Sequence, residues 1–94
     1  MDGFDDEEWA EMQEMYINFT SKELEKIQKG MDTATMESLR TFGHNIKGSG
    51  GMYGFDRVTE LGAKIETAAN ENKLEDIKSF FKELKDFLDE EMKK

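Results

Sequence analysis

The chain has 94 residues, 37% of them charged and 36% apolar, with neither proline nor cysteine. That length suffices for one small core and not for two, and the absence of cysteine excludes disulfides, thiolate nucleophiles and cysteine-bound metal. Thirteen basic against 22 acidic side chains leave a net charge of −9, which repels nucleic acid and anionic membrane surfaces and argues against a polyanion-binding role.

The periodicity is helical nearly throughout. The acidic start Met1–Glu8 is unlike a secretory signal, which is basic and then apolar, and no run of about 18 apolar residues could span a membrane; the expected compartment is the cytoplasm. Trp9, Met12, Tyr16, Phe19, Leu24, Ile27 and Met31 recur at helical steps and form one apolar stripe. Residues 5–30 therefore read as one long helix, although Thr20–Glu23 has the form of a capping box that would start a new one. Gly30 is expected to end the segment in a left-handed conformation.

A second helix is expected to start from an N-cap at Asp32 or Thr33, with Met36, Leu39, Phe42 and Ile46 inward. The run Gly48-Ser49-Gly50-Gly51 is unusual there, since each helical glycine costs about 1 kcal/mol relative to alanine. Either the helix stops at Lys47 or something requires absent side chains; Gly54 is the latest expected end. Asp56 is the expected cap of a third helix, with Val58, Leu61, Ile65 and Ala68 or Ala69 inward. Asn72–Glu75 resembles a capping box opening a fourth helix, whose stripe is Leu74, Ile77, Phe80/Phe81, Leu84 and Phe87/Leu88, fraying at Met92. No linker divides the chain, so residues 1–94 read as one domain. Four amphipathic segments with short turns predict an all-α, antiparallel up-down four-helix bundle, roughly 30 Å long for helices of about 20 residues.

The chain has a single histidine, His44. On a helical wheel it lies about 150° from the centre of the Leu39–Phe42–Ile46 arc, on a solvent face shared with Arg40, Lys47, Gly48 and Gly51. Between Met36 and Thr59 three cations (Arg40, Lys47, Arg57) face two carboxylates (Glu37, Asp56), a local charge of +1 in a chain of −9. Singly, each of these residues has an ordinary surface reading. Together, helix-weakening glycines beside a lone histidine indicate that something bulky approaches the ring closely. A neutral imidazole is a good nucleophile near pH 7, and an ammonium three residues on can reach phosphoryl oxygens and offset their charge. Metal binding lacks converging ligands: there is no second histidine, and Thr41 occupies the place a Glu-x-x-His pair would need. Ser49, about 140° around the helix from His44, does not form a nucleophile–histidine pair.

The segment His44-Asn-Ile-Lys47-Gly48-Ser-Gly-Gly51-Met-Tyr-Gly54-Phe55 resembles the signature of histidine-containing phosphotransfer (HPt) domains, in which the histidine is followed by lysine at +3, glycine at +4, small residues and glycine at +10. The resemblance implies a four-helix bundle with the histidine exposed mid-helix. It implies a phosphorelay carrier rather than an enzyme, exchanging a phosphoryl group with the aspartate of a response-regulator receiver domain. It also implies no cofactor of the chain's own, the Mg²⁺ being brought by the receiver. By the same resemblance His44 is the phosphoacceptor through Nε2, Lys47 balances phosphoryl charge, and Gly48 and Gly51 leave room for the receiver's loops. Glu66, 22 residues after the histidine, is the expected acceptor for Nδ1–H, with a solvated surface carboxylate as its equal alternative. Arg40 and Arg57 are weaker docking candidates, and Met52, off the core side, and Met36, at the edge of that side, are candidates for adaptable apolar contact. Two alternatives stay open: a phosphoacceptor fed directly by a chemotaxis-type histidine kinase, and a non-phosphorylated docking module for receivers. A monomer is expected, since the high net charge discourages self-association.

Overall fold

A computed structural model of the protein describes residues 5–31 and 33–93. Four α-helices follow one another: α1 (Asp6–Lys29), α2 (Met36–Gly50), α3 (Asp56–Asn70) and α4 (Leu74–Met92), with one 3₁₀ turn, Gly51–Tyr53, after α2. They form a four-helix bundle, and the described residues contain no strand. Its longest dimension is 42 Å, beyond the expected 30 Å, because the 24 residues of α1 alone extend about 36 Å at 1.5 Å per residue. No helix among the described residues is long and apolar enough to cross a membrane.

The first segment is one helix. Asp5 caps it by accepting from the Glu8 N–H at 2.7 Å, and Asp6, Glu7 and Glu8 complement its positive end. Thr20 is buried in mid-helix, so the capping-box pattern there is not used. Gly30 ends the helix without the expected left-handed turn: its φ is −96°, and its N–H reaches the carbonyls of Lys26 and Ile27. The expected N-cap Asp32 lies outside the described residues. Thr33 is not the cap either; Thr35 is, accepting from the Ser38 N–H at 3.1 Å.

Two further boundaries differ from the sequence reading for one physical reason. Asp56 is the first helical residue of α3 and Phe55 the N-cap. Gly54 stands just before it at φ +84°, its N–H on the Gly51 carbonyl and the Phe55 N–H on the Gly50 carbonyl. The same pair of bonds closes α3, where the Asn72 N–H meets the Ala69 carbonyl and the Lys73 N–H the Ala68 carbonyl. Asn72, at φ 57°, is thus the left-handed end of α3 rather than the opening of α4, and asparagine tolerates that conformation better than most residues.

The core holds Tyr16, Ile17, Leu24, Leu39, Phe42, Ile46, Val58, Leu61, Ile65, Ala68, Ala69, Ile77, Phe81, Leu84 and Leu88, each large aliphatic member contributing about 1.5–3 kcal/mol by burial. Two members of the expected stripes are exposed, Phe19 to 63% and Leu74 to 36%. The stripe of α1 is wider than the face it buries, and Leu74 sits in the first turn of α4.

The α2–α3 pair is the tightest contact in the molecule. A Cβ on Gly43 would lie 2.7 Å from the Glu66 nitrogen, one on Gly62 2.6 Å from the Lys47 nitrogen, and one on Gly50 2.7 Å from the Thr59 nitrogen. Residue numbers fall along α3 as they rise along α2, so these two helices run antiparallel. Three missing side chains let their backbones meet. The glycine run of α2 is thereby partly explained from inside the fold: Gly50 serves helix packing.

Candidate functional site

The Gly43–Gly62 crossing brings the outer edge of α3 alongside the exposed face of α2. Glu66 there spans two residues of α2. Its Oε2 lies 2.9 Å from His44 Nδ1, and its Oε1 lies 2.7 Å from Lys47 Nζ. The His44 side chain is 65% exposed, while that of Glu66 is only 19% exposed. The carboxylate is therefore a seated platform, and the imidazole stands on it facing solvent.

The electrostatics fix the protonation pattern. The Lys47 ammonium, through its hydrogen bond, holds the Glu66 carboxyl below its usual range; partial burial opposes this, and His44 adds a second lowering contact. Glu66 is then ionised near neutrality and acts only as an acceptor. The nitrogen facing it, Nδ1, must carry a proton, so in the neutral ring the lone pair resides on Nε2. A single carboxylate thus sets the tautomer of His44 and the resting place of the Lys47 ammonium.

The surrounding residues divide clearly. Arg40, Gly48, Gly51 and Met52 are exposed on the same helix or the turn after it, Met52 to 74%. A Cβ on Gly48 would meet nothing within 4 Å, whereas one on Gly51 would touch Thr59 Oγ1 at 3.4 Å. Met36 is half-buried and packs against the core. Arg57 is engaged elsewhere, its guanidinium pairing with Glu60 on its own helix and with Glu83 of α4 at 2.8 Å. It ties α3 to α4 instead of offering a free charge to a partner. Ser49 points away from His44, its Oγ 2.7 Å from the Tyr16 hydroxyl.

Sequence reasoning missed Thr59. Its hydroxyl accepts from the Gly51 N–H at 2.7 Å and donates to the Lys47 carbonyl at 3.0 Å. The only sequence signal is a hydroxyl residue one turn into α3, which spacing alone does not connect to Lys47. Behind this end of α2, aromatic rings stack in a ladder: Trp9 on Tyr53 at 6.3 Å, Tyr53 on Tyr16 at 4.5 Å and Tyr16 on Phe55 at 6.0 Å. The Gln13 side-chain amide donates to the Tyr53 carbonyl at 2.8 Å. The ladder seats α1 over the glycine-rich turn. Among the described residues no three His, Cys, Asp or Glu side chains converge as metal ligands.

A family model described as Hpt domain matches residues 11–92. No match is found among curated proteins or solved structures.

Proposed function

The chain belongs to the Hpt domain family, whose members serve histidine phosphotransfer in two-component phosphorelays, and from this premise we propose that His44 is its phosphoacceptor. The observation that carries the reading is the exposed imidazole whose Nδ1 is held by Glu66 beside Lys47. In the proposed step Nε2 attacks the phosphorus of an aspartyl phosphate on a receiver domain. The N–P bond forms as the P–O bond breaks, and the receiver's aspartate departs as a carboxylate with the electron pair. Nδ1 keeps its proton, Glu66 offsets the charge the ring acquires, and Lys47 turns toward the phosphoryl oxygens. The reverse step passes the group to another receiver; a histidine kinase is the other class of donor to the same nitrogen.

In this reading the chain is a carrier and not an enzyme, with the Mg²⁺ supplied by the receiver. Gly48 opens the approach to His44, and Arg40, Gly51 and Met52 border it. The four helices form one up-down antiparallel unit, supported by the register of α2 against α3. The unit works as a monomer in the cytoplasm, a state favoured by its net charge of −9.

The test is incubation with a panel of phosphorylated receiver domains, with His44→Gln alongside. The wild type should acquire acid-labile, alkali-stable phosphate and the variant none. Labelling of His44→Gln would end the assignment.

A further inference from the structure

A continuous α-helix joins the N–H of one residue to the carbonyl four before it. At the end of α2 that rung runs between the Gly51 N–H and the Lys47 carbonyl, and the Thr59 hydroxyl of α3 sits between the two. It accepts from the first at 2.7 Å and donates to the second at 3.0 Å. Both functions of one hydroxyl are thus used on backbone. The turn it holds is intrinsically weak, with Gly48, Gly50 and Gly51 in four residues. It is also the turn from which Lys47 reaches Glu66 at 2.7 Å. The hydroxyl gets there only because Gly50 lacks a side chain: a Cβ on Gly50 would lie 2.9 Å from Thr59 Oγ1. The glycines that loosen the helix therefore admit the group that re-anchors it.

We propose that Thr59 is a positioning residue for phosphoryl transfer, acting through the Lys47 backbone to hold the Lys47 ammonium where it serves both Glu66 and the incoming phosphoryl group. The proposal rests on His44 being the phosphoacceptor, and it deepens that reading by adding the residue that keeps the cation in place. Thr59 touches neither the ring nor the phosphoryl group. Its effect passes through one carbonyl, so it vanishes when Lys47 has no ammonium to place.

Thr59→Val keeps the shape and removes the hydroxyl; Thr59→Ser restores it. Two measurements follow. The first is the NMR titration of the Glu66 carboxyl in the unphosphorylated protein. In Thr59→Val its midpoint should rise toward the ordinary carboxylate value as Lys47 drifts, and in Thr59→Ser it should stay as in the wild type. The second is single-turnover transfer from a saturating phosphorylated receiver. Thr59→Val should be slower by about fivefold, the scale of one lost hydrogen bond, and Thr59→Ser near wild type. Lys47→Ala/Thr59→Val should be no slower than Lys47→Ala alone. An unchanged Glu66 titration in Thr59→Val overturns the proposal, as does an equal slowing in the presence and absence of the lysine, which is what general loosening of the helix produces. Failure of the wild type to take phosphate from any receiver or kinase would instead count against His44 as phosphoacceptor, and the Glu66 titration still decides whether Thr59 places Lys47.

Discussion

Glu66 does at the residue scale what two separate groups would otherwise do, since its two oxygens serve a ring nitrogen and an ammonium at once. Its folded-state pKa is lowered, chiefly by Lys47, so the stability it contributes is fully present above the ordinary carboxylate value of about 4.3 and is lost as pH falls through the lowered folded value. Urea denaturation should accordingly find Glu66→Gln less stable than the wild type at pH 7, with the gap narrowing below about pH 4. A constant gap would place the effect elsewhere. Gly48 invites a different test. A methyl group there meets nothing, so Gly48→Ala should raise stability by up to about 1 kcal/mol, or roughly 4–8 °C in Tm. The same methyl narrows the approach to His44 and should slow transfer from a receiver. A variant that is both more stable and equally fast would remove Gly48 from the docking face. His44, Lys47 and Gly48 were legible in the sequence because their relation is local, one turn of one helix. Glu66 was legible only through the family pattern, and Thr59 not at all, because its relation to Lys47 exists only once α2 and α3 have met.

At the scale of elements, the glycines of α2 and α3 have two distinct uses that the sequence merges. The run after Lys47 reads as clearance for a partner, yet Gly50 is consumed by α3, and its equivalents Gly43 and Gly62 were not singled out from the sequence. Gly43→Ala should destabilise the fold by about 1–3 kcal/mol, because the added carbon meets the Glu66 backbone nitrogen at 2.7 Å and no flexible side chain can yield. Thermal unfolding beside Gly48→Ala gives opposite signs for the same chemical change five residues apart. The helix ends show the same limit of sequence reading. Asn72 before Lys73-Leu74-Glu75 has the pattern of a start, but its backbone at φ 57° makes it a stop. Asn72→Ala should then cost about 1 kcal/mol in a denaturant titration while Asn72→Gly is tolerated; an equal loss in both variants would place the cost in the side chain and not in the backbone. Element number and the buried faces of α2 and α3 were legible from periodicity. The exposure of Phe19 was not, since a wheel ranks the faces of a helix without showing how much of each its neighbours cover.

The whole molecule is uneven. α2 and α3 are locked backbone to backbone, whereas α1 is held by α4 and by side chains stacked over the turn after α2. Native-state hydrogen exchange should find the slowest amides in α2 and α3 and faster opening in α1. The aromatic ladder gives that difference an optical signature. The protein has one tryptophan and two tyrosines, and all three lie in the ladder, Trp9 stacked on Tyr53 and Tyr53 on Tyr16. Light absorbed by either tyrosine is handed to the indole before it can be re-emitted, so the folded chain should fluoresce as a tryptophan protein whichever ring is excited. Detaching α1 carries Tyr16 away with Trp9 on the same helix and separates Tyr53 from the indole, so the emission of Tyr53 should emerge at lower denaturant than the loss of helical ellipticity. The molecule thus carries its own ruler for the distance between its first helix and the turn that follows the helix of His44.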